Sequence, residues 1–422
     1  MQETKEALKK TLLKALKNIG TFLKWMACAC VVGVVVGLIG TLFHFCMEFA
    51  TEFRGGHDWI ILLLPAAGVA IAFLYQICGM AHDKGTNLVL TAVRSDDTIS
   101  IKTAPLVFIG TFLTHLFGGS SGREGAALQL GGSLSSQLGR WIHLDEKDSK
   151  IMTMCGMSAA FSALFGSPLA AAVFSMEVIS VGVMYYAAIV PCVISSVIGF
   201  SIAQHLGVVA VDYEFVKVPP MELLTAGKVV VLAILCAALS ILFCMAMHQA
   251  GRLFKRFFKN KLLRAAVGGA VIVALTFALG TRDYNGPGMD IIVNAMNGEA
   301  RPEAFFLKIV FTAVTLGCGF KGGEIVPSFF VGATFGCVMG GLLGLPPAFA
   351  AAVGLIALFC GVINCPVTSL ILSIELFGAE GMLYFAMAGA VSYMLSGYYG
   401  LYSGQKILYS KMRPEFINKD SK

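Results

Sequence analysis

The chain has 422 residues, of which 57% are hydrophobic and only 13% are charged. Soluble domains carry about 25% charged residues, so this chain has too few to cover a water-facing surface of its size. Apolar runs of about 20 residues indicate that a bilayer is the solvent. The composition therefore excludes a soluble enzyme, a disordered protein and, despite a net charge of +6, a nucleic-acid-binding protein.

Much of the positive charge lies in residues 1–24, where six lysines alternate with leucines. This spacing predicts a basic amphipathic helix that lies on the anionic cytoplasmic leaflet. Two further basic groups occupy residues 252–264 and 406–422, and by the positive-inside rule all three face the cytoplasm. We therefore expect a multi-pass protein of a bacterial inner (plasma) membrane, with cytoplasmic N- and C-termini in contact with the lipid bilayer.

The twelve cysteines lie almost entirely within apolar segments and form no Cys-x-x-Cys or Cys/His ligand set. They are typical of small buried hydrophobic residues rather than of disulfides or metal ligands. The sequence therefore predicts no metal site and no cofactor.

Six long apolar segments predict membrane-crossing helices, and nine shorter ones are punctuated by Gly and Pro. The long segments are 26–50, 58–79, 185–206, 226–250, 262–280 and 380–400. The short ones are 86–94, 105–118, 124–139, 151–165, 168–181, 303–316, 327–344, 347–362 and 366–377. Helices too short to cross a core of about 30 Å are tolerated at membrane depth only where they face protein or a water-filled cavity. Broken helices in both halves of a membrane protein indicate a transport site.

Two pairs of segments repeat along the chain at nearly the same separation. Residues 166–177 and 364–375 each place a proline nine residues before a glutamate, and they lie 198 residues apart. Residues 122–131 and 323–332 match at an offset of 201. Two matches at such similar offsets indicate an internal duplication, and halves of this kind usually enclose a substrate site at their interface.

The expected fold class is an all-α polytopic membrane protein. Its predicted parts are a cytoplasmic amphipathic helix (1–24), a first transmembrane repeat (25–207), a linker (208–223), a second repeat with a C-terminal helix (224–411) and a cytoplasmic tail (412–422). No cytoplasmic regulatory domain is expected.

Glycine-rich turns precede the apolar helices that begin near residues 124 and 327. Glycine lets the backbone turn sharply and leaves its amides exposed, and Pro327 fits the first turn of a helix. These features predict two helix N-termini, each with unpaired N–H groups and a partial positive charge, directed into the protein interior. Such a site binds an anion without a full positive charge, so that the ion can also leave.

Glu124 is expected in the first turn of one of these helices, where its carboxylate is itself an anion in the anion site. It can occupy the site when ionised and vacate it when protonated, which would couple anion movement to proton movement. The alternative is a purely structural role as a helix-dipole partner or in a salt bridge to Arg123. Because ionisable residues within the membrane are functional by default, we favour the gating role.

These motifs resemble those of the CLC family of anion channels and anion/proton exchangers. Gly-Arg-Glu-Gly at 122–125 resembles the gating-glutamate motif of the family, and Gly-Gly-Glu-Ile-Val-Pro at 322–327 resembles its second filter loop. Tyr402 matches the anion-coordinating tyrosine. Segments 168–177 and 366–375 resemble the dimer-interface helices, and their final glutamates are expected to cap or to pair there. The similarity covers essentially the whole chain, with the motifs in the family's order.

The resemblance implies a CLC-type fold of two inverted repeats with many broken or tilted helices, assembled as a homodimer with one anion pathway per subunit. Glu124 would be the gate and the proton carrier, and the transported species would be a halide anion (fluoride or chloride) and protons. The residues expected to hold the anion are Thr86, Gly122, Arg123, Gly125, Glu324, Ile325 and Tyr402. Further residues that can line the pathway are Lys84, Asn87, Val326 and Phe320.

The first filter loop departs from the family pattern. The usual Gly-Ser-Gly-Ile-Pro is here Gly-Thr-Asn-Leu-Val at 85–89. Thr86 can replace the serine hydroxyl, whereas shifting the alignment by two residues would put Lys84 at the central position. We favour the interpretation that Lys84 lies at a hydrated loop end beside Asp83.

Glu324 stands where chloride-transporting members have an apolar residue, and in this the loop resembles the fluoride-exporting branch, CLC-F. That branch has Gly-Gly-Glu-x-Thr-Pro in the loop, but here Val326 replaces the threonine. An ionised carboxyl would repel a halide, whereas a protonated one can donate a strong hydrogen bond to fluoride. Val178 stands where chloride/proton exchangers have an intracellular relay glutamate, which argues against their mechanism.

Two transport functions follow from these departures. Fluoride/proton antiport is favoured by Glu324 and by Val178. The alternative is a passive chloride channel or a chloride-preferring transporter of the same family, supported by Thr86, Val326 and Lys84.

A third hypothesis comes from another class of protein, the rhomboid-type intramembrane proteases. Ser121 lies in a Gly-x-Ser-Gly pattern and His248 in a His-x-x-Gly pattern. A Ser–His pair needs direct hydrogen-bond contact. Because Arg-Glu follows soon after Ser121 and His248 lies beside a basic loop, we expect a transporter rather than an enzyme.

Overall fold

The computed structural model describes residues 2–95, 97–209 and 218–422, and these residues are predominantly helical. The first half contains α1 Gln2–Gly56, α2 Leu64–Ile77, α3 Thr86–Arg94, α4 Thr103–Leu116, α5 Glu124–Trp141, α6 Glu146–Phe165, α7 Pro168–Glu177 and α8 Ile189–His205. The second half contains α9 Leu223–Phe257, α10 Lys261–Leu279, α11 Met289–Met296, α12 Ala304–Cys318, α13 Ile325–Leu342, α14 Pro347–Ile363, α15 Pro366–Phe377 and α16 Met382–Leu395. The predicted linker at 208–223 lies partly outside the described residues.

The helices of the two halves correspond in order along the chain. α12, α13 and α14 each begin 201 residues after their counterparts α4, α5 and α6, and α15 begins 198 residues after α7. These are the two offsets found in the sequence. The predicted duplication into two repeats of broken helices is therefore confirmed.

The repeats are joined by a reciprocal pair of helix caps between α7 and α15. Glu177, the last residue of α7, accepts the backbone N–H groups of Val367 and Thr368 at 3.1 and 2.8 Å. Glu375 in α15 accepts the N–H groups of residues 169–170 at 2.8 and 2.9 Å. Each carboxylate thus satisfies the unpaired donors at the start of the other helix. Both glutamates act as caps within one chain.

Repeat-related residues also end the helices before these caps. Gly166, with φ 70°, directly follows α6, and Asn364, with φ 60°, directly follows α14. Glycine and asparagine are the residues that best tolerate this left-handed conformation at a helix C-terminus. Each is followed two residues later by the proline that begins the next helix.

The interior is built mainly from α5, α6, α13 and α14, whose side chains are buried along most of their length. Small residues let these helices approach closely. A Cβ atom on Gly332 of α13 would lie 2.6 Å from the Gly354 carbonyl oxygen of α14, so that crossing needs glycine. These four helices are therefore surrounded mainly by protein along most of their length.

Six helices within the described ranges are long and apolar enough to cross a membrane. Five overlap the predicted spans, and the sixth is α13, which the sequence had placed among the shorter pieces. The span predicted at 380–400 is wrong in length, because α16 has 14 residues and ends at Leu395. Gly397 has φ 58° and Gly400 follows, so the chain turns where the apolar run continues.

The N-terminal amphipathic segment is not a separate helix in the structure, because residues 2–24 are the first part of the 55-residue α1. Its leucines are exposed, and the Lys24 ammonium pairs with Asp148 in the first turn of α6. Its predicted position on the cytoplasmic leaflet stays a prediction.

The predicted C-terminal helix is wrong. After α16 the chain forms β2 (Lys406–Tyr409) and β3 (Phe416–Asp420), and β2 pairs in parallel with β1 (Ser180–Val181), which lies between α7 and α8 of the first repeat. β2 and β3 are antiparallel. Glycines at 397, 400 and 404 interrupt any helix here, and the backbone pairing with β1 stabilises strands instead.

Candidate functional site

The two predicted helix N-termini meet at one point through a short backbone bridge. The Gly122 N–H donates to the Gly323 carbonyl oxygen and the Gly323 N–H donates to the Gly122 carbonyl oxygen, each at 2.7 Å. A Cβ atom on Gly323 would lie 2.6 Å from the Gly125 nitrogen, which explains why glycine is needed. The Gly122 amide is therefore occupied, and the anion-binding role predicted for that residue is not available through its N–H.

Glu124 is the first residue of α5 and is only 2% exposed. Its Oε2 accepts the backbone N–H of Arg123 at 3.0 Å, so the carboxyl folds back onto the N-terminus of its own helix. Unpaired N–H groups and the helix dipole both favour a negative charge there. The carboxyl occupies the place that the sequence assigned to an anion.

Glu324 is the residue before α13 and is half-buried beside the same bridge, with its Oε2 shielded from solvent. Its Oε2 has no hydrogen-bond partner within the described residues. This oxygen lies 3.7 Å from the point where a Cβ on Gly125 would sit. Ile325, which begins α13, is fully buried next to it. An unsatisfied buried carboxyl oxygen is costly, so the position calls for a ligand, a water or a proton.

Thr86 begins α3 and is buried against α5. Its hydroxyl donates to the Gly125 carbonyl oxygen at 3.3 Å and accepts a hydrogen bond from Gln129 Nε2, also at 3.3 Å. Gln129 Nε2 donates to the Gly125 carbonyl oxygen at 3.1 Å as well. The Thr86 hydroxyl thus donates its proton in a long hydrogen bond. To bind there, an anion would have to replace the Gly125 carbonyl oxygen as the acceptor.

Gln129 was missed by the sequence reasoning. It lies four residues after Gly125, so it shares a face of α5 with the glycine of the motif. It is 3% exposed, and its Oε1 lacks a partner within the described part of the chain. A polar residue one turn beyond the motif in an apolar helix was the signal available.

Tyr402 reaches the site from the C-terminal segment and is 2% exposed. Its hydroxyl has no hydrogen-bond partner within the residues described. The segment is fixed to both repeats, because Gln405 Nε2 donates to the carbonyl oxygens of Val178 at 3.0 Å and Ile363 at 2.9 Å. The tyrosine is therefore held by the ends of α7 and α14.

A cavity of about 940 Å³ brings several of the predicted residues together. Thr86, Glu324 and Tyr402 line it, and so do Gln129 and Phe320. Lys84 and Asn87 also line it, whereas Gly122, Arg123, Glu124, Gly125, Ile325 and Val326 do not. Glu124 therefore lies behind the wall of this cavity rather than on it.

The structure also places the residues of the first filter loop. Thr86 is buried at the site while Lys84 is exposed, as expected for a hydrated loop end. Asp83 does not pair with its neighbour but with Lys321, whose Nζ lies 2.8 Å from the Asp83 Oδ2 and 4.1 Å from the centre of the Tyr75 ring. Asn87 Oδ1 accepts the N–H of Gly404 at 2.6 Å, which ties α3 to the Tyr402 segment.

The residues of the protease hypothesis are not brought together. His248 Nε2 lies 3.2 Å from the Leu401 carbonyl oxygen. Ser121 Oγ has no hydrogen-bond partner within the described ranges. A serine nucleophile needs its base in contact, so the geometry gives no support to this hypothesis.

Two inverted repeats of broken helices, with facing N-termini and a carboxyl at each, define a membrane transport protein of the duplicated type. Residues 67–397 match the family described as Voltage gated chloride channel. The chain belongs to this family, the CLC proteins.

Relatives of the chain include a protein of Pseudomonas syringae pv. tomato named chloride/fluoride channel protein. It is 38% identical over 395 residues, which span 92% of this chain and 87% of the relative. The H(+)/Cl(-) exchange transporter ClcA of Vibrio vulnificus is 23% identical over 381 residues, which span 82% of this chain and 81% of the relative.

The fold is also that of solved CLC structures. The crystal structure of a CLC-type fluoride/proton antiporter superposes with a TM-score of 0.88 at 31% identity, covering 91% of this chain and 98% of that chain. A slow cyanobacterial Cl−/H+ antiporter gives a TM-score of 0.75 at 20% identity, covering 88% and 94%. The second likeness concerns the fold alone, and both agree with the predicted CLC-type arrangement.

Proposed function

We propose that the protein transports a halide across the membrane by fluoride/proton antiport, with Glu124 as the gate and the proton carrier. The observation that carries the proposal is the position of the Glu124 carboxyl, which accepts the Arg123 N–H at the N-terminus of α5. An ionised carboxyl there competes with the transported anion for the same donors. Protonation removes the charge and lets the anion take its place, so each exchange moves a proton.

The anion ligands follow from the groups that remain unpaired. The Tyr402 hydroxyl and the Glu324 Oε2, both without partners in the described residues, belong to side chains that line one cavity with Thr86. The backbone amides of Glu324 and Ile325 lie at the N-terminus of α13, where the helix dipole has its positive end. Arg123 and Gly125 contribute through the first turn of α5 rather than as cavity-lining side chains.

Fluoride is favoured over chloride because of Glu324. In its protonated form this carboxyl donates a hydrogen bond to a small, hard acceptor, and its unpartnered Oε2 is placed to do so. The similar crystal structure of a CLC-type fluoride/proton antiporter supports the choice, whereas the name of the Pseudomonas relative covers both halides. Val326, buried and apolar, lacks the hydroxyl that the threonine of CLC-F would add.

The residue after Glu177 offers no relay carboxylate for a proton. Val178 occupies that position, and its carbonyl oxygen accepts a hydrogen bond from Gln405. We infer that protons enter through the cavity and reach Glu124 by way of Glu324, a carboxyl that lines it.

The test uses purified protein in liposomes with a fluoride or chloride gradient and a proton indicator. Fluoride/proton antiport predicts uphill proton movement driven by fluoride, which is lost in Glu124→Gln. Glu380→Gln, an exposed carboxyl far from the bridge in sequence, serves as the matched control and should keep the coupling. Halide flux without proton movement, or chloride flux that exceeds fluoride flux, would overturn the proposal in favour of a chloride channel or chloride-preferring transporter.

Assembly and location belong to the same proposal. We infer a homodimer in the bacterial plasma membrane, joined through α7 and α15, where Leu169 and Val367 are 51% and 46% exposed. The termini and the basic α9–α10 connection lie in the cytoplasm. Light scattering of the detergent-solubilised protein gives its mass, and Leu169→Glu should convert a dimer to a monomer, while Leu342→Glu on α13 serves as the control.

A further inference from the structure

A group of basic side chains lines the same cavity as Thr86, Glu324 and Tyr402. We call it the basic ring, and its members are Lys84, Lys255, Lys259, Lys261, Arg264 and Lys321. Among the described residues that line the cavity there are two carboxylates, Glu324 and Asp83, and Asp83 pairs with Lys321. The cavity wall therefore carries an excess of positive charge.

Half of the basic ring is occupied by protein oxygens. Lys321 pairs with Asp83, Lys261 Nζ donates to the Ala81 carbonyl oxygen at 2.6 Å, and Arg264 Nε donates to that of Cys318 at 3.3 Å. The other half, Lys84, Lys255 and Lys259, is exposed and has no ion-pair or hydrogen-bond partner within the described residues. These three ammonium groups are free to take a ligand.

The arrangement exceeds what membrane topology requires. The positive-inside rule needs only a number of basic residues near the cytoplasmic ends of the spans. Here Lys84 precedes α3 in the first repeat, Lys255 lies in the last turn of α9, and Lys259 lies in the α9–α10 connection. Segments of both repeats thus bring free charges to one cavity.

The size and charge of this cavity fit an anion larger than a halide. Its volume is about 940 Å³, and electrostatic attraction grows in proportion to the charge of the ligand. Lysine ammonium groups bind phosphate as point charges. We propose that the basic ring is a binding site for oligophosphates, anions with two or more linked phosphate groups, which reach several of the free lysines at once.

An oligophosphate in the basic ring closes the cytoplasmic path to Thr86 and Glu324. It is too large to follow a halide past the Gly122–Gly323 bridge, so it blocks transport from the cytoplasmic side. This consequence rests on the proposed function, whereas the binding itself does not.

Binding is tested by titration calorimetry of the full chain in neutral detergent with sodium tripolyphosphate at low salt. We expect a dissociation constant below about 1 mM that weakens about tenfold or more in Lys255→Gln/Lys259→Gln. The matched control, Lys9→Gln/Lys10→Gln, removes the same charge from the exposed part of α1 and should bind as the wild type does. No binding by the wild type, or equal weakening in both double variants, would overturn the site.

Block is tested by halide efflux from neutral-lipid vesicles with tripolyphosphate on both sides. Wild-type efflux should fall, while the Lys255→Gln/Lys259→Gln variant keeps most of its efflux. Tripolyphosphate binding without any halide efflux would contradict the proposed function and leave the site supported. Binding of anionic-lipid micelles without binding of tripolyphosphate would overturn the proposal of a free oligophosphate.

Discussion

Gly122 and Gly323 exchange two backbone hydrogen bonds of 2.7 Å and form an antiparallel bridge between the two repeats. Glu124 follows the first glycine by two residues, and Glu324 directly follows the second. Both carboxyl groups are therefore attached to a single joint at the centre of the molecule. We expect the state of one carboxyl to influence that of the other, because both lie within two residues of this joint.

The close approach at the bridge predicts that one added methyl group at Gly323 lowers both stability and transport. In Gly323→Ala the new Cβ would lie 2.6 Å from the Gly125 nitrogen, a backbone atom that cannot move alone. We expect a loss of stability of about 1–3 kcal/mol from overpacking and a loss of fluoride-driven proton transport. Melting of the detergent-solubilised protein and the liposome assay measure the two effects. Gly20→Ala, where nothing lies within 4 Å, is the control, and an unchanged Gly323→Ala would contradict the prediction.

The reciprocal caps predict equal sensitivity at two distant positions. Glu177→Ala leaves the donors of Val367 and Thr368 without their acceptor, and Glu375→Ala does the same at residues 169–170. Each loss should cost about 1–3 kcal/mol because buried N–H groups become unsatisfied. Thermal melting should show both variants less stable than Glu380→Ala. A stable Glu177→Ala would show that water replaces the cap.

Much of the site could be predicted because the start of a helix depends on a few neighbouring residues in the sequence. Glycine and proline fix the beginnings of α3 and α15 at Thr86 and Pro366, and both helices have the predicted bounds. The duplication followed from the same local signals repeated about 200 residues apart. These local signals do not tell which distant group forms the hydrogen bond or ion pair of a polar side chain.

The missed features all depend on such distant partners. Asp83 pairs with Lys321, which lies 238 residues away, and nothing in the sequence predicted this partner. The C-terminal strands form because β2 pairs with β1 in the other repeat. The hydroxyl partner of Gln129 is Thr86 of another helix. None of these pairings leaves a periodic pattern in the chain.

The Asp83–Lys321 ion pair predicts that the selectivity between fluoride and chloride depends on both charges. The two residues precede the two predicted filter loops, and the Asp83 side chain is 2% exposed while that of Lys321 is 21% exposed. Removing one partner of a mostly buried pair costs about 3 kcal/mol. Asp83→Asn and Lys321→Met should therefore each weaken the connection between the loops and lower the preference for fluoride over chloride.

The charge-swapped variant Asp83→Lys/Lys321→Asp tests whether the pair itself is responsible. It should recover part of the selectivity that either single change loses, as measured by the fluoride to chloride flux ratio. The exposed pair of Lys406 and Asp420 offers a control, because its removal should leave the ratio unchanged. A swapped variant no better than the single variants would show that the charges act separately.

Lys411, in the C-terminal segment outside the spans, predicts a specific dependence of stability on pH. Its Nζ donates to Asn364 Oδ1 at 2.5 Å and to Ser396 Oγ at 3.0 Å, and burial lowers the pKa of the ammonium from 10.5 to about 8. Between these two values the unfolded chain binds more protons than the folded protein, so the free energy of unfolding rises with pH there. Relative to Lys411→Met, the wild type should gain at most about 1.4 kcal/mol per pH unit above about pH 8 and nothing below about pH 7. Denaturant unfolding in detergent at several pH values measures this, with Lys419→Met as the surface control. A difference that stays constant above pH 8 would show that Lys411 keeps its proton when folded.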